Sequence, residues 1–206
     1  MQKKWLLTRA FVIAITALFF TLATGPTFAQ HAKTPGQLKS TANRNDRQVE
    51  ALKEEIRHQL VTLPYYSVFD WLQAEVKPDG TVRLMGEVTR PTIKDDAEKR
   101  VKKLEAVNQV IDDIEVLPLS PMDDDLRIAL YRAIFNFNTP LFRYATQSVP
   151  PIHIIVKNGH VTLKGVVLSQ SDSQLAYMAA QGVPGAFEVR NELMIEQRLD
   201  EKVTRK

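Results

Sequence analysis

Apolar residues fall on every second position at Ile152, Ile154 and Val156, and again at Val161 and Leu163, with Asn158-Gly159 between the two runs. Alternation predicts half-buried strands, and Asn-Gly between them predicts a tight β-hairpin. Leu72, Ala74 and Val76 alternate in the same way before Val82 and Leu84, but here the connection is Lys77-Pro78-Asp79-Gly80-Thr81. That segment suits a three-residue loop, with Pro78 at the second position of a type I turn and Gly80 supplying the positive φ of the bulge. Helical spacing precedes each hairpin. Val49, Leu52, Ile56 and Leu60 mark one helix, and Leu126, Ala129, Leu130, Ala133 and Ile134 mark the other, with Asp125 as its expected N-cap. A second helix is expected after each hairpin, over 93–104 with Thr92 as cap and over 172–181 with Ser171 as cap. Inward positions would be Ile93, Ala97, Val101 and Leu104 in one, and Ala176, Ala179 and Ala180 in the other. Strands at 110–116 and 189–195 complete the pattern.

These elements are one unit written twice. Asp79–Val88 aligns with Asn158–Val167 at an offset of 79, and the same offset pairs Leu104 with Val183, Val110 with Val189, Asp112 with Asn191 and Val116 with Ile195. The first hairpin loop is one residue longer, so the offset should become 80 before the turn; Leu72, Ala74 and Val76 then fall on Ile152, Ile154 and Val156. Turn chemistry thus checks the alignment independently. The expected class is α+β: two tandem α-β-β-α-β domains, about 47–118 and 122–197, joined around Leu119-Ser120-Pro121. Each would be a three-stranded mixed sheet with two helices on one face. A unit of about 75 residues has a small core, and pairing of the two would add stability.

The ends of the chain read differently. Met1–Arg9 is short and positive, Ala10–Thr24 is uncharged and apolar, Gly25-Pro26 breaks the run, and Thr27-Phe28-Ala29 offers small residues before a cut after Ala29. This order is that of a secretory signal over residues 1–29, with an uncleaved anchor as the alternative. The expected location is periplasmic or secreted. Residues 30–46 are polar, show no apolar period and read as a flexible linker, and 198–206 reads as a disordered tail. The formal net charge of +3 is carried entirely by Lys3, Lys4 and Arg9, so the remainder is neutral. A neutral chain has no electrostatic footprint for nucleic acid. The absence of cysteine removes disulfides, thiolate metal sites and Cys catalysis.

The residues Val82, Leu84, Gly86 and Val88, repeated as Val161, Leu163, Gly165 and Val167, with Val183-Pro184-Gly185-Ala186 before the last strand, resemble the BON domain of bacterial osmotically inducible and nodulation-related proteins. The first repeat has Leu104-Glu105-Ala106-Val107 at the later turn and departs from the pattern there. The resemblance covers roughly 140 of 206 residues. It implies the α-β-β-α-β fold, the bacterial envelope as setting, and binding, most often to phospholipid surfaces, in protection against osmotic stress. It brings no catalytic residue and no cofactor. Gly80, Gly86, Gly159, Gly165 and Gly185 are read as structural. Gly86 and Gly165 are expected on the core-facing side of the second hairpin strand, where a side chain would block the helix above.

Two features offer binding chemistry. The face of the second sheet turned from its helices should carry His153, Ile155, Lys157, His160, Thr162 and Lys164, two lysines and two histidines with no acid among them. Such a face can meet anionic head groups; the alternative is an ordinary solvated sheet face. On the first repeat the equivalent face carries Trp71, Gln73, Glu75, Lys77, Thr81, Arg83, Met85 and Glu87, whose charges cancel. There Trp71 and Met85 can mark a contact with the other domain or another copy. The second feature is Phe135-Asn136-Phe137-Asn138-Thr139-Pro140-Leu141-Phe142-Arg143-Tyr144. Rings beside arginine suit a membrane interface; alternatively they pack over the small core.

Metal and catalytic readings find little support. Of the four histidines only His153 and His160 lie near one another, without an acidic partner. Asp123-Asp124-Asp125 precedes a helix, where acids serve its cap and dipole. Adjacent strand carboxylates such as Asp112-Asp113 point oppositely and cannot share a cleft. No glycine-rich phosphate loop or nucleophile elbow is present. The expectation is a non-enzyme without cofactor or metal. It would be either a peripheral phospholipid-binding envelope protein, or a structural module assembling with envelope proteins or with itself.

Overall fold

The computed structural model describes residues 35–196. The expected leader 1–29 and tail 198–206 lie outside the described residues. The first unit comprises α1 (Pro35–Val61), β1 (Trp71–Val76), β2 (Thr81–Val88), α2 (Pro91–Val101) and β3 (Gln109–Val116). The second comprises α3 (Pro121–Ile134), a short α4 (Phe142–Ala145), β4 (Ile152–Lys157), β5 (His160–Val167), α5 (Gln170–Gln181) and β6 (Glu188–Ile195). Each sheet has three strands, in the orders β1-β2-β3 and β4-β5-β6. The hairpin strands pair antiparallel and the last strand joins parallel, which makes both sheets mixed. The offset of 79 reproduces β2 as β5, β3 as β6 and the starts of α2 as α5.

Two cores form, one under each sheet, and the second takes in Val68 from the segment before β1. Ile56 of α1 and Ile93, Ala97 and Val101 of α2 pack on Val82, Leu84 and Val88 of β2. Leu130 and Ile134 of α3 and Ala176 and Ala180 of α5 pack on Ile152, Ile154 and Leu163. The hairpin turns follow their chemistry. Gly80 has φ +80 and donates its N–H to Lys77 O at 3.0 Å, while Asn158 and Gly159 both have positive φ, as a two-residue turn of type I′ requires.

Several local expectations are corrected. Helix α1 begins at Pro35, so residues 35–46, expected as linker, form its first turns; proline at a first helical position costs nothing, because that N–H has no helical partner. The N-cap of α3 is Ser120, which accepts from Asp123 N–H at 3.2 Å, and not Asp125. Ser169, not Ser171, caps α5, and Arg90, not Thr92, stands at the N-cap of α2. Gly86 and Gly165 are constrained by strand backbone rather than by a helix. A Cβ at Gly86 would lie 1.9 Å from Trp71 O, and one at Gly165 would lie 1.9 Å from Pro151 O.

The helix–strand tie of each unit is duplicated with altered chemistry. Lys94 of α2 donates to Ile114 O at 2.6 Å and pairs with Asp112 at 3.6 Å. At the equivalent positions Asn191 Nδ2 donates to Ser173 Oγ at 2.9 Å. An ion pair in one copy has become a neutral hydrogen bond in the other, with the same elements joined.

Candidate functional site: the seam between units and the aromatic loop

The outward face of β4 and β5 is not free. Ile154 N–H donates to Val68 O at 2.8 Å, so the segment before β1 runs along the outer edge of β4. Val68 is buried in the core of the second unit, with Phe69 packed beside it against Tyr131. The first unit therefore completes the second. His153 is 6% exposed and Ile155 is equally covered. The rings of Trp71 and Tyr66 lie 5.1 and 5.8 Å from the His153 ring. Lys164 binds both carboxylate oxygens of Glu87 at 3.0 Å, Lys157 pairs with Glu115, and His160 Nδ1 lies 3.2 Å from Glu188. The expectation of a bare basic face is thus corrected. Alternation identified the residues turned away from the helices of their own unit, but the acids that neutralise them come from the other sheet and from β6. Trp71 does mark a contact between the two units.

Asp70 holds this seam. It is fully buried and accepts from Ser67 N–H and Oγ at 2.9 and 2.7 Å, and from Thr89 N–H and Oγ1 at 2.7 and 2.8 Å. The tract Val68-Phe69-Asp70-Trp71-Leu72 carries the signal, since a single carboxylate inside an apolar run must be solvated by something local. Asp123, expected to serve its helix, instead accepts from Asn158 and Gly159 N–H at 2.9 Å each and pins the turn of the second hairpin to α3.

Burial lowers the proton affinity of His153, against weaker opposing effects of the Asp70 and Ser67 carbonyls and the Asp70 charge. Its Nδ1 has no hydrogen-bond partner among the described residues. Lys164 stands opposite it in the ladder. The neutral ring is therefore the one the folded seam accepts. The stability it contributes is complete above the unfolded value of about 6.5 and is lost as pH falls toward the depressed folded value. Thermal melting should weaken between pH 7.5 and pH 5, and a His153→Leu variant should show a shallower decline; equal slopes would remove His153 as the cause.

The aromatic loop divides. Phe135, Leu141 and Tyr144 are buried, whereas Phe137 is 76% exposed and Phe142 is 45% exposed. Tyr144 Oη donates to Asp172 at 2.9 Å and accepts from Leu168 N–H at 2.9 Å. Arg143 pairs with the same carboxylate, and Ser169 Oγ donates to it at 2.9 Å. Asp172 thus clamps the loop base while two rings point outward. Neither of the two expected roles covers the whole segment: Tyr144 belongs to the core, and Phe137 and Phe142 to the surface.

Among the described residues no three His, Asp or Glu side chains gather to hold a metal ion, and no helix is long and apolar enough to cross a membrane. The two units define a duplicated, helix-backed, three-stranded mixed sheet. The sequence matches the BON domain family over residues 48–118 and 142–197, and the chain belongs to that family. It is thereby a tandem member of a non-catalytic family of envelope modules. No curated protein matches the chain. Two solved structures of CdsD, a structural protein of the type III secretion system of Chlamydia trachomatis, are similar at 14% identity. The C-terminal domain aligns with a TM-score of 0.26, covering 70% of this chain and 96% of that one. The other aligns at 0.24, covering 74% and 99%. At those scores neither bears on function.

Proposed function

We propose that this chain is an exported envelope protein that associates peripherally with phospholipid surfaces and supports envelope integrity under osmotic stress. The contact would be the loop around Phe137 and Phe142, with Arg143 beside it, and not the sheet face of Lys157, Lys164, His153 and His160, where His153 is covered by the first unit and the other three pair with Glu115, Glu87 and Glu188. The supporting observation is the exposure of Phe137 and Phe142 on a loop whose base is clamped by buried Tyr144 and Asp172. Rings held outward on a rigid base enter an interface without an ordering cost. Replacing both phenylalanines by serine should lower pelleting with phosphatidylglycerol vesicles by about tenfold or more, with melting unchanged. Unchanged pelleting would reject the loop, and lost folding would assign the rings to the core.

A second reading, assembly with envelope proteins or with itself, is favoured by the terminal position of β3 and β6 in their sheets, where Ile111 and Met194 are exposed. Such edges accept a further strand. A mass that rises with concentration, without vesicle pelleting, would select it.

A further inference from the structure

The sequence holds a single Asn-Gly pair, Asn158-Gly159, and a single Asp-Gly pair, Asp79-Gly80. Each lies in the turn of a hairpin. In an open chain an Asn-Gly pair is chemically labile. The glycine N–H gives up its proton to water or hydroxide. The nitrogen then attacks Cγ of the asparagine side chain and closes a five-membered imide. The side-chain nitrogen takes up a proton and leaves as ammonia. Water opens the imide at either carbonyl and leaves an aspartate or its β-linked isomer. Water is the only co-reactant, and glycine admits the ring because it carries no side chain.

Three features of the fold oppose this reaction at Asn158. The first is the backbone. Asn158 has φ +53, in the left-handed region. There the next nitrogen stands nearly opposite Cβ, whereas ring closure needs it eclipsed with Cβ. The second is the nucleophile. Gly159 N–H donates to Asp123 Oδ1 at 2.9 Å, and Asn158 N–H donates to Oδ2 at the same distance. A carboxylate that close opposes loss of the proton, because the anion left behind would face a like charge. The third is cover. Asn158 is exposed but Gly159 is buried. Phe187 N–H donates to Gly159 O at 2.9 Å, and the Phe187 ring lies 2.5 Å from where a Gly159 Cβ would stand. Asp123 is itself 3% exposed. The electrophile therefore faces solvent while the nucleophile is held inside.

The first turn is built differently. Gly80 N–H donates to a backbone carbonyl, Lys77 O. Thr81 N–H donates to Asp79 at 2.8 Å and holds its carboxyl below the usual carboxylate range. An ionised carboxylate is a poor electrophile. The buried carboxylate thus stands in the copy whose turn is the more reactive.

We propose that Asn158 is a latent deamidation site and that Asp123 keeps it closed. The site opens when α3 parts from the second hairpin, and the change is then irreversible. A new carboxylate joins a turn already bound to Asp123. The β-linked isomer also lengthens by one atom the two-residue turn that fixes strand register. The site uses no residue of the loop contact proposed above.

Peptide mapping by mass spectrometry, on the purified chain aged at mildly alkaline pH, tests it. The readout is the one-dalton mass gain and the β-linked isomer at position 158. The folded chain should react at least about a hundredfold more slowly than the same chain in guanidinium chloride. Folded Asp123→Ala should react at least about tenfold faster than folded wild type. Asp123→Asn, which keeps an acceptor without the charge, should fall between them, and it carries the comparison if the alanine variant does not fold. In guanidinium chloride all three should react alike. Ser120→Ala removes the cap of α3 but keeps the carboxylate, so it should lower melting and retain the slow rate. The proposal is overturned if the folded wild type reacts as fast as the unfolded chain, if the folded Asp123 variants keep the wild-type rate, or if Ser120→Ala accelerates the reaction as much as they do.

Discussion

Replacing Gly86 or Gly165 by alanine is expected to unfold the unit that carries it. The two glycines have φ +133 and +119, a region essentially closed to residues with a Cβ. Space is also absent, because the added carbon would sit 1.9 Å from the carbonyl oxygen of Trp71 or Pro151. That obstacle is backbone of the neighbouring strand edge, so no rotamer change relieves it; β2 or β5 must pull away from its hairpin partner. A cost of about 3 kcal/mol or more follows, comparable to the whole stability of a small unit. Gly185→Ala is the internal control. It has φ +95, but its added carbon would meet only Leu126 Cδ1 at 3.9 Å. It should cost about 1 kcal/mol, the conformational part alone. Urea unfolding followed by circular dichroism measures all three. A Gly86→Ala variant that unfolds at the wild-type midpoint would show that the strands can separate here without penalty.

The same glycines show what one chain discloses about its fold. The duplicated Val-x-Leu-x-Gly-x-Val segments and the change of offset across the longer first turn were sufficient to place β2 on β5 and β1 on β4, because hairpin register depends on local turn chemistry. That Gly86 and Gly165 matter was also legible, but the reason was not. Alternation assigns a residue to a face, and the close approach of Trp71 O to Gly86 arises only once strands are paired. Helix starts shifted, by two residues in α2 and α5 and by five in α3, because Pro91, Pro121 and Gln170 enter these helices ahead of the most apolar residues, and the capping residue lies before them. The candidate site was less legible for a similar reason. Period-two alternation reported correctly that His153 and Lys164 face away from α3 and α5, but it carries nothing about a second sheet. Glu87 and Glu115 reach Lys164 and Lys157 through tertiary placement of the two copies. What remained visible was composition: charges that cancel beyond residue 29 and Trp71 on a polar face, consistent with surfaces that satisfy each other.

Asp70→Ala should separate the two units without unfolding the second. Among the described residues the carboxylate is the acceptor for the N–H and hydroxyl groups of Ser67 and Thr89, and it is fully enclosed. Truncation leaves those half-buried donors without their acceptor, at a cost of about 2 kcal/mol or more. The penalty falls on the strap that holds the seam, since Ser67 and Asp70 bracket Val68 and Phe69. Val68 fills the core of the second unit, and its carbonyl receives Ile154 N–H. Once the strap loosens, Ile154 N–H loses its partner and His153 loses the cover of Trp71 and Tyr66. Amide exchange at Ile154 should therefore accelerate far more than at Leu163, which lies on the central strand β5 of the same core. Thermal unfolding should broaden or split, as two units melt without mutual support. Asp70→Asn tests the chemistry, because an amide has one oxygen to accept and turns an NH2 donor toward the other pair of donors. It should fall between alanine and wild type. If instead Ile154 and Leu163 accelerate in parallel, the units unfold as one body, and Asp70 is a core residue rather than the pin of a seam.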